Sequence, residues 1–339
     1  MKTAFVTGST GLLGNNLVRL LLSRGIAVRA LARSTSKARA QFGLAPELEI
    51  VAGDLLEPAS YAQALNGCDV VFHTAAYFRE SYRGGRHQAS LHGVNVQATG
   101  HLLQAAYAAG VRKFIHTSSI AVVHGPRGSI IDESMARDAK DADDYYQSKM
   151  DADALVKAFL ADHKDMFAAF VMPGWMHGPG DLGPTSAGQF TIDYLSGKLP
   201  GIPPGTVAFV DARDVAQALL AAATCAQRGE HYLAAGHHIG MAELIALYEQ
   251  VTGVAAPRRV IPIAVLWVIA GLQELMARVA KRPALLSLAT VRTVLREAER
   301  TRFDLEKTRR YLGVEFRPIA DTIRDEVAWL MQARPHLLP

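Results

Sequence analysis

Glycines at positions 8, 11 and 14 constrain this chain more than any other feature, because of what flanks them. A β-rich pentapeptide, Thr-Ala-Phe-Val-Thr at residues 3–7, precedes them, and an apolar stretch with helical spacing follows. Three glycines at that spacing arise easily by chance. Between a strand and a helix they describe a phosphate-binding turn: Gly8 permits the tight turn, Gly11 lets backbone amides approach an anion, and Gly14 lets the helix lie against the sheet. Unpaired N–H groups and the helix dipole then favour a pyrophosphate at the helix N-terminus. The residues expected around a dinucleotide here are Gly8, Thr10, Gly11, Leu12 and Leu13. The bland alternative is a strand–helix connection that merely tolerates glycine.

The same alternation continues through the first half. β-rich runs at residues 27–32, 49–52, 69–74, 113–118 and 168–172 are interleaved with helical patterns at 12–23, 94–110 and 142–160, the signature of βαβ units on a parallel sheet. Beyond Pro173 the regularity breaks, and residues 173–205 read as long loops with one short helix. A strand resumes at 207–210, expected to rejoin the main sheet, and a helix at 214–224. From Met241 onward the pattern is mostly helical, with Asp304 placed to cap a helix over 305–312. A chain of 339 residues is long enough for a main domain and a smaller lobe. The predicted architecture is α/β: a doubly wound parallel sheet from residues 1–172 and about 207–235, and a smaller, mainly helical substrate lobe from 173–206 and about 236–339.

The second predicted strand bears on which dinucleotide is held. NAD sites usually place an acidic residue near its end, to accept from the ribose hydroxyls. Here the strand ends Ala32-Arg33-Ser34, Lys37 follows, and no Asp or Glu occurs between Lys2 and Glu47. A guanidinium stabilises a 2′-phosphate and gains little from a hydroxyl, so NADP(H) is favoured, with NAD(H) kept open. The competing reading makes Arg33 and Lys37 solvated loop charges.

Composition excludes several classes. Half the residues are apolar and the net charge is only +4, with no basic run interleaved with aromatics, so no nucleic-acid partner is expected. Cys68 and Cys225 form no CxxC pair, and His237-His238 has no third ligand nearby in sequence, so no metal is expected. Reduced thiols and an N-terminus without an apolar leader suggest a cytoplasmic protein. The apolar run at 260–272 falls short of the ~20 residues needed to span a bilayer; it reads as a buried helix or one lying over a pocket, and membrane contact is not expected. A homodimer is compatible with the chain, whose sequence sets no oligomeric state.

Tyr145 and Lys149 supply the candidate chemistry. Four apart on a predicted helix, they share one face. A nearby ammonium favours the phenolate, so Lys149 is expected to lower the Tyr145 pKa toward neutrality and make it a usable proton donor or acceptor. A YxxxK match alone is weak. Thr117-Ser118-Ser119, at the end of the fifth predicted strand, strengthens it, because strand C-termini line the ligand crevice and a hydroxyl there can hydrogen-bond the reacting oxygen. Tyr146 is the competing tyrosine, less well spaced from Lys149. The bland reading is a surface pair beside a loop of serines.

Together these motifs resemble the extended short-chain dehydrogenase/reductase superfamily, the NAD-dependent epimerase/dehydratase family, over nearly the whole chain. The matching stretches, in order, are residues 7–14, Gly53-Asp54-Leu55, His73-Thr74-Ala75-Ala76, Asn95-Val96, Thr117-Ser118-Ser119, Tyr145 with Lys149, residues 173–181 and residues 210–216. The Arg33-Ser34 ending is similar to the dihydroflavonol-4-reductase-like branch. The resemblance implies a Rossmann fold in which Ser119 polarises the substrate oxygen, Tyr145 shuttles the proton, and Lys149 holds the nicotinamide ribose and tunes Tyr145. It also implies Asp54 and Leu55 at the adenine end, Ala75 and Ala76 at the cofactor's midsection, and Pro173 and Met176 by the carboxamide. One departure stands out: residues 120–125 carry one more residue between serine and glycine than many sugar-modifying members.

Three functions are consistent with these residues. The first is reduction of a ketone or aldehyde, or oxidation of the alcohol, with NADP(H). The second is a sugar-nucleotide epimerase or dehydratase that recycles its cofactor internally; Arg33 disfavours it, since such enzymes generally hold NAD through an acidic residue. The third is a non-catalytic redox sensor, disfavoured by the intact Ser119, Tyr145 and Lys149 set. The substrate is expected to be a small carbonyl or alcohol. Tyr77, Phe78 and Tyr82, in the segment after the fourth strand, are candidate apolar contacts, and Arg79, Arg83 and Arg86 candidate partners for an acid. Trp175, Met176 and residues 263–272 suggest a greasy wall.

Overall fold

Strands buried on both faces dictate the architecture. In the computed structural model, which describes residues 1–78, 87–280 and 288–333, ten strands form. They are β1 (Thr3–Thr7), β2 (Ala27–Ala32), β3 (Leu48–Ala52), β4 (Val70–His73), β5 (Lys113–Thr117), β6 (Phe167–Pro173), β7 (Trp175–His177), β8 (Thr206–Asp211), β9 (His231–Ala234) and β10 (His237–Gly240). Seven make a parallel sheet ordered β3-β2-β1-β4-β5-β6-β9. Its strands are nearly continuously apolar, as burial on both faces requires. Ala4, Val6, Phe72 and Val171 point to one side; Phe5, Val71, Phe114 and Phe170 point to the other.

The described helices are α1 (Leu12–Ser23), α2 (Thr35–Phe42), α3 (Gln88–Leu91), α4 (Ala98–Ala108), α5 (Asp144–Asp162), α6 (Ser186–Leu195), α7 (Ala212–Cys225), α8 (Met241–Thr252), α9 (Ile263–Ala280), α10 (Leu288–Arg296), α11 (Glu306–Leu312) and α12 (Ile319–Ala333). On the first face, Leu13, Leu17 and Leu21 of α1 meet Val215, Leu219 and Ala222 of α7. On the second, Leu102 and Ala106 of α4 and Val156 and Leu160 of α5 cover the sheet. A separate core joins α6, α8 and α12 around a small sheet ordered β10-β8-β7. Among the described residues no helix is long and apolar enough to cross a membrane.

Four details depart from the sequence reading. The strand expected at 207–210 does form, but it does not rejoin the main sheet: β9 occupies the outer edge of β6, so β8 pairs with β7 and β10 instead. The helix α2 is absent from the sequence pattern because only Ala38 is buried on it, leaving no apolar stripe. The helix expected over 94–110 is α4 preceded by α3 and a π-helical turn, His92–Gln97, whose wider spacing the 3.6-residue repeat cannot reveal. The apolar run at 260–272 lies largely in α9, which buries Leu266 and Ala270 against Val291 of α10 while Val265, Val268 and Leu272 stay exposed.

Candidate active site

The C-terminal ends of β1, β4, β5 and β6 open onto one crevice, where the strand order reverses between β1 and β4. Gly8 leaves β1 at φ +64°, the left-handed region that favours glycine. Close backbone approach is built in on both sides of it. A Cβ at Gly8 would lie 2.7 Å from the Ala75 nitrogen, and one at Gly14 would lie 2.2 Å from the Gly8 carbonyl oxygen. Ser9 Oγ donates to the Leu31 carbonyl (2.7 Å), tying the turn to the end of β2. Gly11 caps α1 without a side chain and the first turn holds no acidic residue, so the N–H groups of Leu12 and Leu13 begin a helix with no carboxylate competing for them. This is a cradle that fits a dinucleotide pyrophosphate.

Around the cradle, Arg33 and Lys37 are exposed where the chain passes from β2 into α2, and Ser34 caps that helix by accepting from the Lys37 amide (3.3 Å). Asp54 and Leu55 follow β3; the Asp54 carboxylate accepts from the Leu56 amide (3.0 Å) and Leu55 is buried. Ala75 and Ala76 follow β4 beside the turn. A buried relay braces this junction: Thr7 Oγ1 to His73 Nδ1 (2.8 Å), His73 Nε2 to Thr99 Oγ1 (2.9 Å), and Thr99 donating to the Asn95 carbonyl (2.7 Å). Burial, with His116 and Lys149 nearby, holds the His73 pKa well below the usual histidine range. Pro173 closes β6, and Met176 packs on the α1 and α7 side of the core.

The candidate chemical groups meet at the end of β5. Asp143 caps α5 by accepting from the Tyr146 amide (2.9 Å), which starts the helix so that Tyr145 and Lys149 face the strand. The Tyr145 hydroxyl shares a hydrogen bond with Ser119. Lys149 Nζ donates to the Thr117 carbonyl (2.8 Å). Ser118 is turned away, donating to buried Asp153 (2.6 Å). Tyr146 points elsewhere, its ring between Arg137 (4.5 Å) and Arg296 (5.1 Å).

The electrostatics correct one expectation. Tyr145 is not drawn toward neutrality: burial pushes its pKa well above the usual range, and the Ser119 hydrogen bond offsets this only in part. Burial likewise lowers Lys149 to about 8, against the pull of the Asp153 carboxylate. Burial thus shifts the two groups on this face in opposite directions, Tyr145 up and Lys149 down, and at neutral pH leaves Tyr145 a phenol and Lys149 largely an ammonium.

The substrate side is partly assembled. Phe78 lies 4.8 Å from Tyr145, ring to ring, and with Tyr77, Leu91 and Ala121 it makes an apolar wall. Tyr77 is fixed by a residue whose role the sequence did not disclose: Asn95, in the π-helical turn, accepts from the Tyr77 amide (2.7 Å), donates to its carbonyl (3.1 Å) and donates to Ser148 Oγ (2.9 Å). Trp175 is not brought to this wall. It packs against His177 and Phe190 in the lobe core, with its indole N–H on Ser186 (3.3 Å). Tyr82, Arg79, Arg83 and Arg86 lie outside the described residues. His237 and His238 diverge, to the Arg317 carbonyl (2.9 Å) and Thr301 (3.0 Å).

The sequence profile of the NAD dependent epimerase/dehydratase family matches residues 4–235. The chain is similar to sterol demethylase protein B of Methylococcus capsulatus, 34% identical over 335 residues, covering 97% of this chain and 98% of that one. It is also similar to a putative dihydroflavonol 4-reductase of Synechocystis sp., 29% identical with 96% and 93% covered. Among solved structures, gox2253 superposes with a TM-score of 0.83 at 29% identity, covering 98% of this chain and 99% of that one.

Proposed function

From the premise that this chain belongs to the NAD dependent epimerase/dehydratase family, within the extended short-chain dehydrogenases/reductases, we propose that it is an NADP(H)-dependent reductase of an apolar ketone or aldehyde. The observation that carries this reading is the geometry around Tyr145, which is hydrogen-bonded to Ser119, shares its helix face with Lys149 and packs against the apolar wall of Phe78 and Leu91, so that its hydroxyl can give a proton to the oxygen of an apolar carbonyl.

Bound NADPH supplies the hydride. Ser119 Oγ donates a hydrogen bond to the substrate oxygen and orients it toward Tyr145. The Tyr145 hydroxyl gives that oxygen its proton as the carbonyl carbon is reduced, yielding the alcohol. Lys149, with one of its three N–H donors on Thr117, has donors left for the nicotinamide ribose, and its positive charge stabilises the tyrosinate that forms. Phe78, Tyr77 and Leu91 exclude water from the apolar side. We assign the pyrophosphate to Gly8, Thr10, Gly11, Leu12 and Leu13, the adenine end to Asp54 and Leu55, and the cofactor's midsection to Ala75 and Ala76. Pro173 and Met176 take the carboxamide.

Arg33 and Lys37 take the 2′-phosphate in this reading. Arg33→Asp replaces a charge-assisted hydrogen bond by repulsion, so the KM for NADPH is expected to rise by about 10²-fold while that for NADH changes little. Equal effects on both coenzymes would remove the assignment.

The reaction is tested by NADPH oxidation against aromatic aldehydes, aliphatic ketones and 3-oxosteroids, the last included because a full-length relative is named for sterol demethylation. Consumption with an apolar carbonyl is expected. No consumption across the panel, together with conversion of a UDP-sugar, would favour the epimerase reading.

A further inference from the structure

One face of α5 is matched residue by residue to the end of β5. Tyr145, Lys149 and Asp153 are spaced by four, so they stand in a row along the helix. They engage three consecutive residues: Tyr145 meets Ser119, Lys149 donates to the Thr117 carbonyl, and Asp153 accepts from Ser118. The first two contacts belong to the site described above. The third lies beneath it and is used by no step of the proposed reaction.

We infer that Asp153 is a positioning residue, which holds Ser118 and thereby fixes Thr117 and Ser119 in register with Lys149 and Tyr145; the inference rests on the reductase reading of that site. Asp153 is 5% exposed. A carboxylate so buried is costly unless several donors satisfy it. Ser118 Oγ and His231 Nε2 approach one oxygen at 2.6 and 2.9 Å, and His116 Nε2 lies 3.3 Å from the other. These come from the end of β5, from β9 and from within β5, so the carboxylate joins α5 to two strands of the sheet. Burial alone would raise its pKa, but His231, hydrogen-bonded to one oxygen, and His116 beside the other outweigh it and hold the carboxyl below its usual range. The titratable groups facing Asp153 are His116, His231, Lys149 and Tyr145, with His73 5.5 Å beyond the His116 ring.

The geometry explains why the serine pair is divided. Ser118 is committed to the carboxylate, so Ser119 is the hydroxyl left at the crevice. A one-residue slip or a loosened Ser118 would move the Ser119 hydroxyl relative to Tyr145, and reacting groups tolerate displacements of about 1 Å only with large losses of rate.

Asp153→Asn and Ser118→Ala in the full chain test this, using NADPH and the best carbonyl of the panel. Both variants are expected to bind NADPH, followed by its fluorescence, within about two-fold of the parent, with kcat down about 10-fold and KM little changed. Asp153→Asn should also move the alkaline limb of kcat/KM for NADPH to lower pH by roughly one unit, because the carboxylate that favours protonated Lys149 is gone. Ser118→Ala should leave that limb in place. Unchanged kcat in the folded variants, an unmoved limb in Asp153→Asn, or losses no larger than the unfolded fraction would overturn the inference. If Asp153→Asn does not fold, kcat of Ser118→Ala decides alone. Tyr145→Phe in the same assay separates the two levels: full turnover there sinks the reading of the site, whereas an inactive Tyr145→Phe beside fully active Asp153 and Ser118 variants sinks only this inference.

Discussion

Tyr145→Phe is expected to lower kcat by about 10²–10⁴-fold while NADPH binds nearly as before. The substitution removes one oxygen and leaves the ring, which packs against Phe78 and Leu91. Folding should therefore survive, and the hydroxyl's partner Ser119 is half-buried at the crevice and can turn to water. What disappears, in the proposed reaction, is the proton for the substrate oxygen. Because the hydroxyl sits well above its ordinary pKa, turnover of the parent is expected to fall at alkaline pH with Lys149, near 8, before Tyr145 titrates. Steady-state rates and NADPH fluorescence on the same preparation check the expectation. Residual turnover within ten-fold of the parent would remove Tyr145 as proton donor.

Gly14→Ala is expected to damage the protein at its other critical contact. The added methyl would stand 2.2 Å from the Gly8 carbonyl oxygen and 2.9 Å from Ser9 Cα. These are backbone atoms, and Ser9 is anchored to Leu31, so no flexible side chain can yield. Relief requires α1 to lift from the turn, which separates Leu13 and Leu17 from the sheet and moves the helix N-terminus from the pyrophosphate. Overpacking of this kind costs about 1–3 kcal/mol, and more where the backbone cannot shift. A fall in Tm of several degrees and at least ten-fold weaker NADPH binding are expected. Wild-type values for both would show that α1 does not lie as close to the turn as described.

The strand–turn–helix at residues 3–14 is legible in sequence because each glycine answers a local demand, a positive φ at Gly8 and backbone contact at Gly14. The pairing of Tyr145 with Lys149 is legible for a similar reason, since helical spacing alone places them together. The choice of Ser119 over Ser118 is not: it depends on Asp153, which is 35 residues from Ser118 and gains meaning only through His116 and His231. The pKa of Tyr145 is likewise a property of burial, which a motif does not carry. Asn95 stands in a recognised stretch, but its grip on Tyr77 depends on a π-helical turn. The course of β8 is set by competition for the edge of β6, a matter of tertiary packing.

In the proposed reaction this site reduces a carbonyl once for each NADPH, with Tyr145 supplying the proton. Transfer of label from NADPH deuterated at nicotinamide C4 tests it most directly, with separate 4R and 4S preparations and mass spectrometry of the product. One of the two preparations should place a single deuterium on the carbinol carbon, with one equivalent of oxidised cofactor per alcohol. Product that carries no deuterium from either preparation, formed without net loss of NADPH, would contradict the account and assign the site to internal oxidation and reduction.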